Sequence, residues 1–372
     1  MFSLDQIIDK ATEIGFDAVA ITDPSPLKES LQELEKCKAE GRYPEFAEQD
    51  LILRTTPKKL MHEVKTIISL AIAYKTVDPE NPVGFSGSLA RYSWGKDYHV
   101  VFKERLEQFT SFLRENCGVN KVYSASDITP LAERALAMRA GLGNQGANCC
   151  LYVKSYGSWV VLGEILIDVK LPETAIKPST RCDDCDDCGM CVKACPTNAL
   201  YEPFKIRPQL CLSYLTQMKG IIPTQLRKYF GRKLWGCDIC QQVCPRNIKA
   251  DRSRHQEFMP LYGTTIPLLP LLSLSNKEFQ ATFGETAIAW RGKSTLQRNA
   301  CIILGNIGDP LAIDSLEIAL NSPNESVRAS SAWALGQIGG KKARLLLTKA
   351  YSKEQSLAVK EEITSSLEGS TP

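Results

Sequence analysis

No apolar run in this chain approaches the roughly 18 residues that a membrane-spanning helix requires. The longest, residues 66–74 (TIISLAIAY), is of strand length. The opening residues, MFSLDQIIDK, lack the basic head and apolar stretch of a secretory signal, so a cytoplasmic protein without membrane contact is expected. Apolar residues are not scarce overall: 44% are hydrophobic and 23% charged, which excludes the disordered and fibrous classes. At about 100–200 residues per domain, 372 residues should form two or three compact units.

Cysteine is the residue in excess. A cytosolic chain keeps its thiols reduced, so fourteen of them point to metal ligation more than to disulfides. Cys37, Cys117, Cys149, Cys150, Cys182 and Cys301 follow no pattern, while the other eight fall between Cys185 and Cys244. Cys185-x-x-Cys188-x-x-Cys191-x-x-x-Cys195-Pro196 has the spacing of the bacterial ferredoxin run, in which three thiolates hold one cluster and the fourth reaches another. Cys211 and Cys237-x-x-Cys240-x-x-x-Cys244-Pro245 complete eight ligands for two 4Fe-4S clusters. The crossing rule assigns Cys185, Cys188, Cys191 and Cys244 to one cluster and Cys195, Cys211, Cys237 and Cys240 to the other. Tetrahedral zinc is the competing reading, but thiolates so closely spaced on one loop wrap a cube more naturally than a single ion. Cys182 is not needed by this count and is expected to be a free thiol. Two clusters form an electron conduit, so the acceptor must sit elsewhere in the chain.

Over residues 1–175, helical patterns alternate with short apolar runs at 16–21, 66–74, 120–123 and 159–167. This pattern predicts an α/β or α+β domain with a buried sheet flanked by helices. Residues 176–260 hold the ferredoxin-like segment, and residues 261–372 turn helical after a Pro-punctuated connector. In that tail, Leu296-Gln297-x-x-x-Cys301-x-x-Leu304-Gly305-Asn306-Ile307-Gly308 returns 31 residues later as Val327-Arg328-x-x-x-Ala332-x-x-Leu335-Gly336-Gln337-Ile338-Gly339. A fainter copy starts at Val359-Lys360. The copies resemble HEAT-like repeats, which implies stacked helix pairs that serve as a binding surface or as a helical cap.

Between residues 205 and 254 eleven Lys or Arg stand against two Asp, a local +9 in a chain of net +3. Such a focus favours a polyanionic partner, the alternative being compensation of the clusters and their thiolates. Candidate nucleic-acid contacts are Lys219, Arg227, Lys228, Arg232 and Lys233, with Arg291, Lys293 and Arg298 at the entrance to the repeats.

Several segments together carry a closer likeness. They are Arg91-Tyr92-Ser93-Trp94-Gly95-Lys96-Asp97-Tyr98-His99, Asp127-Ile128-Thr129-Pro130-Leu131-Ala132-Glu133-Arg134, Ala140-Gly141-Leu142-Gly143, Gly157-Ser158-Trp159, Leu162-Gly163-Glu164-Ile165, and Gly236-Cys237-Asp238-x-Cys240-Gln241-x-Val243-Cys244-Pro245. The combination closely resembles the epoxyqueuosine reductase family. The resemblance implies a monomeric enzyme that uses cobalamin and two 4Fe-4S clusters, fed by a low-potential electron donor, to reduce the epoxide of epoxyqueuosine in tRNA to an alkene. It also implies an N-terminal cobalamin-binding sheet domain similar to that of reductive dehalogenases, and hence an α+β (α/β-like) fold class overall. Asp127 occupies the family's catalytic aspartate position and lies near the corrin. Arg54, Ser93, Asn148, Ser213 and Asp238 lie in segments that the resemblance places around the cofactor.

Epoxide reduction to an alkene consumes two electrons and two protons and releases water, so a proton donor must face the opening oxygen. A carboxyl acquires a pKa near working pH by burial in a dry pocket, and Asp127 is the expected donor, with Asp97 and His99 next. The alternative for Asp127 is an N-cap of a helix beginning near Thr129, and for Arg54 a surface salt bridge. The chain has only His62, His99 and His255 and no D-x-H-x-x-G motif, which is compatible with a corrinoid lacking a protein histidine ligand. Where the family usually carries an aromatic residue and Gly-Lys, this chain reads Asn144-Gln145-Gly146-Ala147. An electron-transfer protein docking a separate partner and a corrinoid reductive dehalogenase are the rival readings.

Overall fold

The computed structural model describes residues 3–127, 129–174 and 180–369. They divide into two compact units: one from the described residues up to Val77, Asp97–Gln209 and Ile239–Phe258, the other from Asp78–Lys96, Leu210–Asp238 and the described residues from Met259 onward. The Cys-rich segment is therefore shared out between the units and does not stay in one of them.

The first unit is built on β1 (Ala18–Thr22), β2 (Thr66–Ala73), β3 (Val122–Ala125) and β4 (Val160–Ile167), in the order β1-β2-β4-β3 with every neighbouring pair antiparallel. The antiparallel pairing makes the unit α+β, not a parallel α/β fold. All eight residues of β2 are buried because helices cover both faces of the sheet. On one face Phe16, at the end of α1 (Leu4–Ile14), meets Phe102 and Phe109 of α2 (Tyr98–Cys117) at 5.5 and 6.0 Å between ring centroids. On the other, α3 (Glu133–Ala140) lays Ala137 and Ala140 against Ala20 and Ala71. A Cβ on Gly163 would lie 2.4 Å from Phe102 Cε1, so this position of β4 faces α2. Strand periodicity of two then turns Glu164 toward α3.

Capping places the first turn of α2. Asp97 is its N-cap and its side chain accepts the His99 backbone N–H, which sets Tyr98 and His99 at the head of the helix. By contrast α3 begins only at Glu133, with Ala132 at its N-cap position. Asp127 thus lies outside helix-capping range, and the capping alternative for it falls away. Two short helices of this unit, α4 (Met190–Ala194) and α5 (Ile239–Gln242), pack on each other.

In the second unit, Ser86–Leu89 is the centre of a three-stranded sheet, parallel to Lys233–Trp235 and antiparallel to Thr265–Pro267. Beyond it α6 (Lys293–Ile307), α7 (Glu325–Ile338) and α8 (Leu357–Gly369) pack in succession. The repeated Leu-Gly has a steric cause. A Cβ on Gly305 would sit 2.6 Å from Trp333 Cζ3, and one on Gly336 would sit 2.6 Å from Ser366 Cβ, so glycine sets the spacing between successive helices.

Candidate active site and cluster ligands

Asp127 follows β3 on a loop and holds φ at 57°. Its Oδ2 accepts a hydrogen bond from the Tyr98 hydroxyl and lies 3.7 Å from His99 Nε2. The other ring nitrogen of His99 is 2.7 Å from Asp97 Oδ1, and the Tyr98 and His99 rings stack at 4.0 Å. Burial disfavours the charged His99 ring, but its hydrogen bonds to Asp127 and Asp97 outweigh that and raise its pKa to about 9. In return the His99 imidazolium holds the Asp127 carboxyl below the usual carboxylate range, Tyr98 adding to the effect. The expected device, a carboxyl raised by burial, is not the one present: the Asp127 side chain is 61% exposed. The proton of the pair rests on His99.

Behind Asp127 lie two further carboxyls. Glu133 Oε1 accepts the Asp127 backbone N–H at 2.6 Å, and Glu133 faces Glu164 of β4. Burial raises the pKa of both, with the charge of Asp127 adding to it at Glu133 and the charge of Glu133 adding to it at Glu164.

Arg54, expected near the corrin, keeps an open donor. Its Nε is buried without a hydrogen-bond partner among the described residues, and its guanidinium stands over Tyr43 at 5.9 Å. Ser93 donates to the Ala90 carbonyl, Asn148 donates to the Tyr152 hydroxyl, Ser213 Oγ accepts from Gln217, and Asp238 accepts the Arg91 backbone N–H at 2.8 Å.

Among the cysteines of the first unit, Cys191 has the thiols of Cys185 and Cys244 as neighbours. Three members of one expected ligand set thus share one locality, although Cys244 is 53 residues beyond Cys191 in the chain. The α4–α5 packing brings the two Cys-rich runs together. Tyr152 also points its hydroxyl at Cys244.

The chain compares well with known proteins. A family model described as epoxyqueuosine reductase QueG, DUF1730, matches residues 54–127, one described as a 4Fe-4S double cluster binding domain matches 184–247, and one for HEAT repeats matches 291–368. The epoxyqueuosine reductase of Staphylococcus aureus is 37% identical over 354 residues, 94% of this chain and 92% of the relative. That of Bacillus subtilis is 36% identical, covering 98% and 95%. The chain belongs to the epoxyqueuosine reductase family. Solved members share the fold: an epoxyqueuosine reductase crystallised with an epoxyqueuosine-modified tRNA-Tyr stem loop superposes with a TM-score of 0.93 at 34% identity over 98% of both chains. A Bacillus subtilis epoxyqueuosine reductase, solved with its catalytic aspartate loop swung out of the active site, superposes with a TM-score of 0.91 at 34% identity over 99% of this chain and 98% of that one.

The matched double cluster binding domain assigns 4Fe-4S clusters to this epoxyqueuosine reductase family member. The matched cluster domain starts at residue 184 and leaves out Cys182, a buried thiol beside Cys185. Among the described residues no helix is long and apolar enough to cross a membrane.

Two of the basic candidates for nucleic-acid contact are corrected by the structure. Arg227 is 1% exposed and makes a bidentate pair with Glu362 at 2.8 and 2.7 Å. Arg298 is fully buried and donates to the carbonyls of Met218, Gly220 and Leu215. Both guanidiniums are spent on internal carbonyl or carboxylate oxygens and cannot meet a phosphate. Arg232 and Lys293 reach the Ser86 and Leu274 carbonyls, Arg291 stacks on Trp290 at 3.6 Å, and Lys219 and Lys228 are exposed, with Lys233 half-buried. Sequence reasoning assigned no role to Glu133 or Glu164. A lone carboxyl in the apolar run of β4 was the available signal, since such a group is rarely buried without a purpose.

Proposed function

We propose that this chain reduces the epoxide of epoxyqueuosine in tRNA to the alkene of queuosine, with two 4Fe-4S clusters and cobalamin as cofactors. The observation that carries the reading is the chain of titratable groups that runs from Asp97 and His99 at the head of α2 to Asp127 on the loop after β3, in a family member whose relative is solved with the modified stem loop. Two electrons and two protons enter, and the epoxide oxygen leaves as water. Asp127 delivers the proton to the opening oxygen and is recharged from His99, which stores it at neutral pH. Cobalamin, when bound, supplies a two-electron nucleophile in its cobalt(I) state. Arg54, with its unpartnered buried Nε, fits an acceptor oxygen of that cofactor; Ser93, Asn148, Ser213 and Asp238 would reach it through groups that already have partners. The ligand sets are those the crossing rule assigns, supported by the approach of Cys185, Cys191 and Cys244. In this reading residues 1–175 form the catalytic domain, 176–260 the cluster domain and 261–372 the repeat domain. Lys219, Lys228 and Lys233 hold the tRNA backbone, and the modified base enters the site splayed out of its loop.

The test is anaerobic incubation of cobalamin-loaded protein and a low-potential reductant with an epoxyqueuosine-containing stem loop, followed by nucleoside mass analysis. Queuosine is the expected product, and Asp127→Asn should slow its formation by about 10²–10⁴-fold. Absence of product from the wild-type protein would overturn the activity, and an unchanged rate in the variant would overturn the role of Asp127.

A further inference from the structure

Glu164 is 1% exposed in the middle of β4, where its strand neighbours are Ser69 on β2 and Ala125 on β3. No donor among the described residues meets either of its carboxyl oxygens, nor has the Ser69 hydroxyl a partner. What faces it is the carboxyl of Glu133, from the first turn of α3. Two carboxyls in such a place are stable only as a pair that retains a proton. The outer member of this pair is also the acceptor for the Asp127 backbone N–H at 2.6 Å. Asp127 itself sits at φ 57°, in the left-handed region that aspartate adopts as a single residue, and the hydrogen bond to Glu133 is what ties its backbone at that turn.

The geometry points to Glu133 as the positioning residue of the reaction: it latches the Asp127 loop at the site, and a proton shared with Glu164 keeps the latch at a single negative charge. This rests on the reading of Asp127 as proton donor. The groups facing the pair are Arg134 on α3, Asp127 on the loop and Ser69 on β2, with Tyr98 and His99 of α2 engaging the far side of Asp127. Loss of the shared proton would place two anions next to a third, Asp127, and release the loop. A loop of this kind has a second position in a relative, the Bacillus subtilis protein with its catalytic aspartate loop swung out.

The experiment is hydrogen–deuterium exchange of the peptide spanning residues 122–131, on the full chain with its clusters intact, beside steady-state kinetics on the stem loop. Glu133→Ala should lower the protection factor of that peptide by about tenfold and reduce kcat by about 10–100-fold with KM within about threefold. Glu133→Gln, whose amide oxygen still accepts the N–H, should restore most of both. In the wild type, protection should begin to fall as pH rises through about 8, and Glu164→Gln should remove that early fall and leave only the later one that follows loss of the His99 proton near pH 9. If Glu133→Ala does not fold, the Gln variants still decide: protection in Glu164→Gln that falls with pH as in the wild type overturns the proposal, as does unchanged protection in a folded Glu133→Ala. The two readings separate cleanly. Should Asp127→Asn keep full activity, the donor assignment fails whatever the exchange shows; should it lose activity while exchange is insensitive to Glu133, only the latch fails.

Discussion

His99 bridges two carboxylates, with Nδ1 2.7 Å from Asp97 Oδ1 and Nε2 3.7 Å from Asp127 Oδ2. Asp97 is fixed by its duty as N-cap of α2, so the imidazole is anchored at one end and offers its other nitrogen to the loop. A charged ring in this position holds the Asp127 carboxyl below the usual carboxylate range.

That arrangement has a pH signature in stability. The folded-state pKa of His99 is raised to about 9 from an unbound value of 6.5, so its stabilising contribution is complete below about pH 6.5 and is lost as pH rises through about 9. Thermal unfolding of wild type and His99→Gln should therefore differ most in the acidic part of this window and converge above it. A difference that persists undiminished at about pH 10 would show that the ring stabilises the fold by packing and not by charge.

Arg227 and Glu362 form a buried bidentate pair, and the guanidinium also stands over Trp333 at 5.4 Å. Arg227→Ala should destabilise the second unit by about 3–5 kcal/mol, because Glu362 is left buried without its counter-charge. Arg227→Met with Glu362→Leu should recover most of that loss. Calorimetry reads both, and additive losses would contradict the pairing.

Exposed lysines behave differently. Lys219→Ala and Lys228→Ala should leave the melting temperature unchanged and weaken binding of the stem loop, each lowering the slope of log K against log salt by about 0.7–0.9. Fluorescence anisotropy across a salt series measures this, and an unchanged slope removes that lysine from the interface.

Cys244 and Cys182 give a matched pair for the ligand assignment. Cys244→Ala should lose one of the two clusters in iron analysis and electron paramagnetic resonance, whereas Cys182→Ala should keep both, since its thiol lies outside the matched cluster domain. Full iron in the first variant would require a different ligand set.

The strands at residues 18–22, 66–73 and 160–167 were legible in the sequence, because buried strand residues write themselves as a short apolar run; the run at 120–123 only overlaps the strand at 122–125, whose residues are half-buried or exposed. The repeat was legible for a similar reason: Gly305 and Gly336 recur wherever one helix must approach the next. The start of α3 was not, since no capping residue marks Glu133 and the Pro130 segment imitates a helix onset. Nor could a count of basic residues separate Lys219, free to meet a phosphate, from Arg298, whose guanidinium is consumed by four backbone carbonyls.

Local chemistry was thus readable from residue order alone: thiolate spacing is a property of one loop, and hydrophobic period is a property of one strand or helix. Everything that depends on the approach of distant segments was decided by the tertiary fold. Asp127 and His99 are 28 residues apart, and Glu133 and Glu164 are 31 apart. Their protonation follows from charge and burial at a few ångströms, distances that exist only once the sheet has closed between the helices.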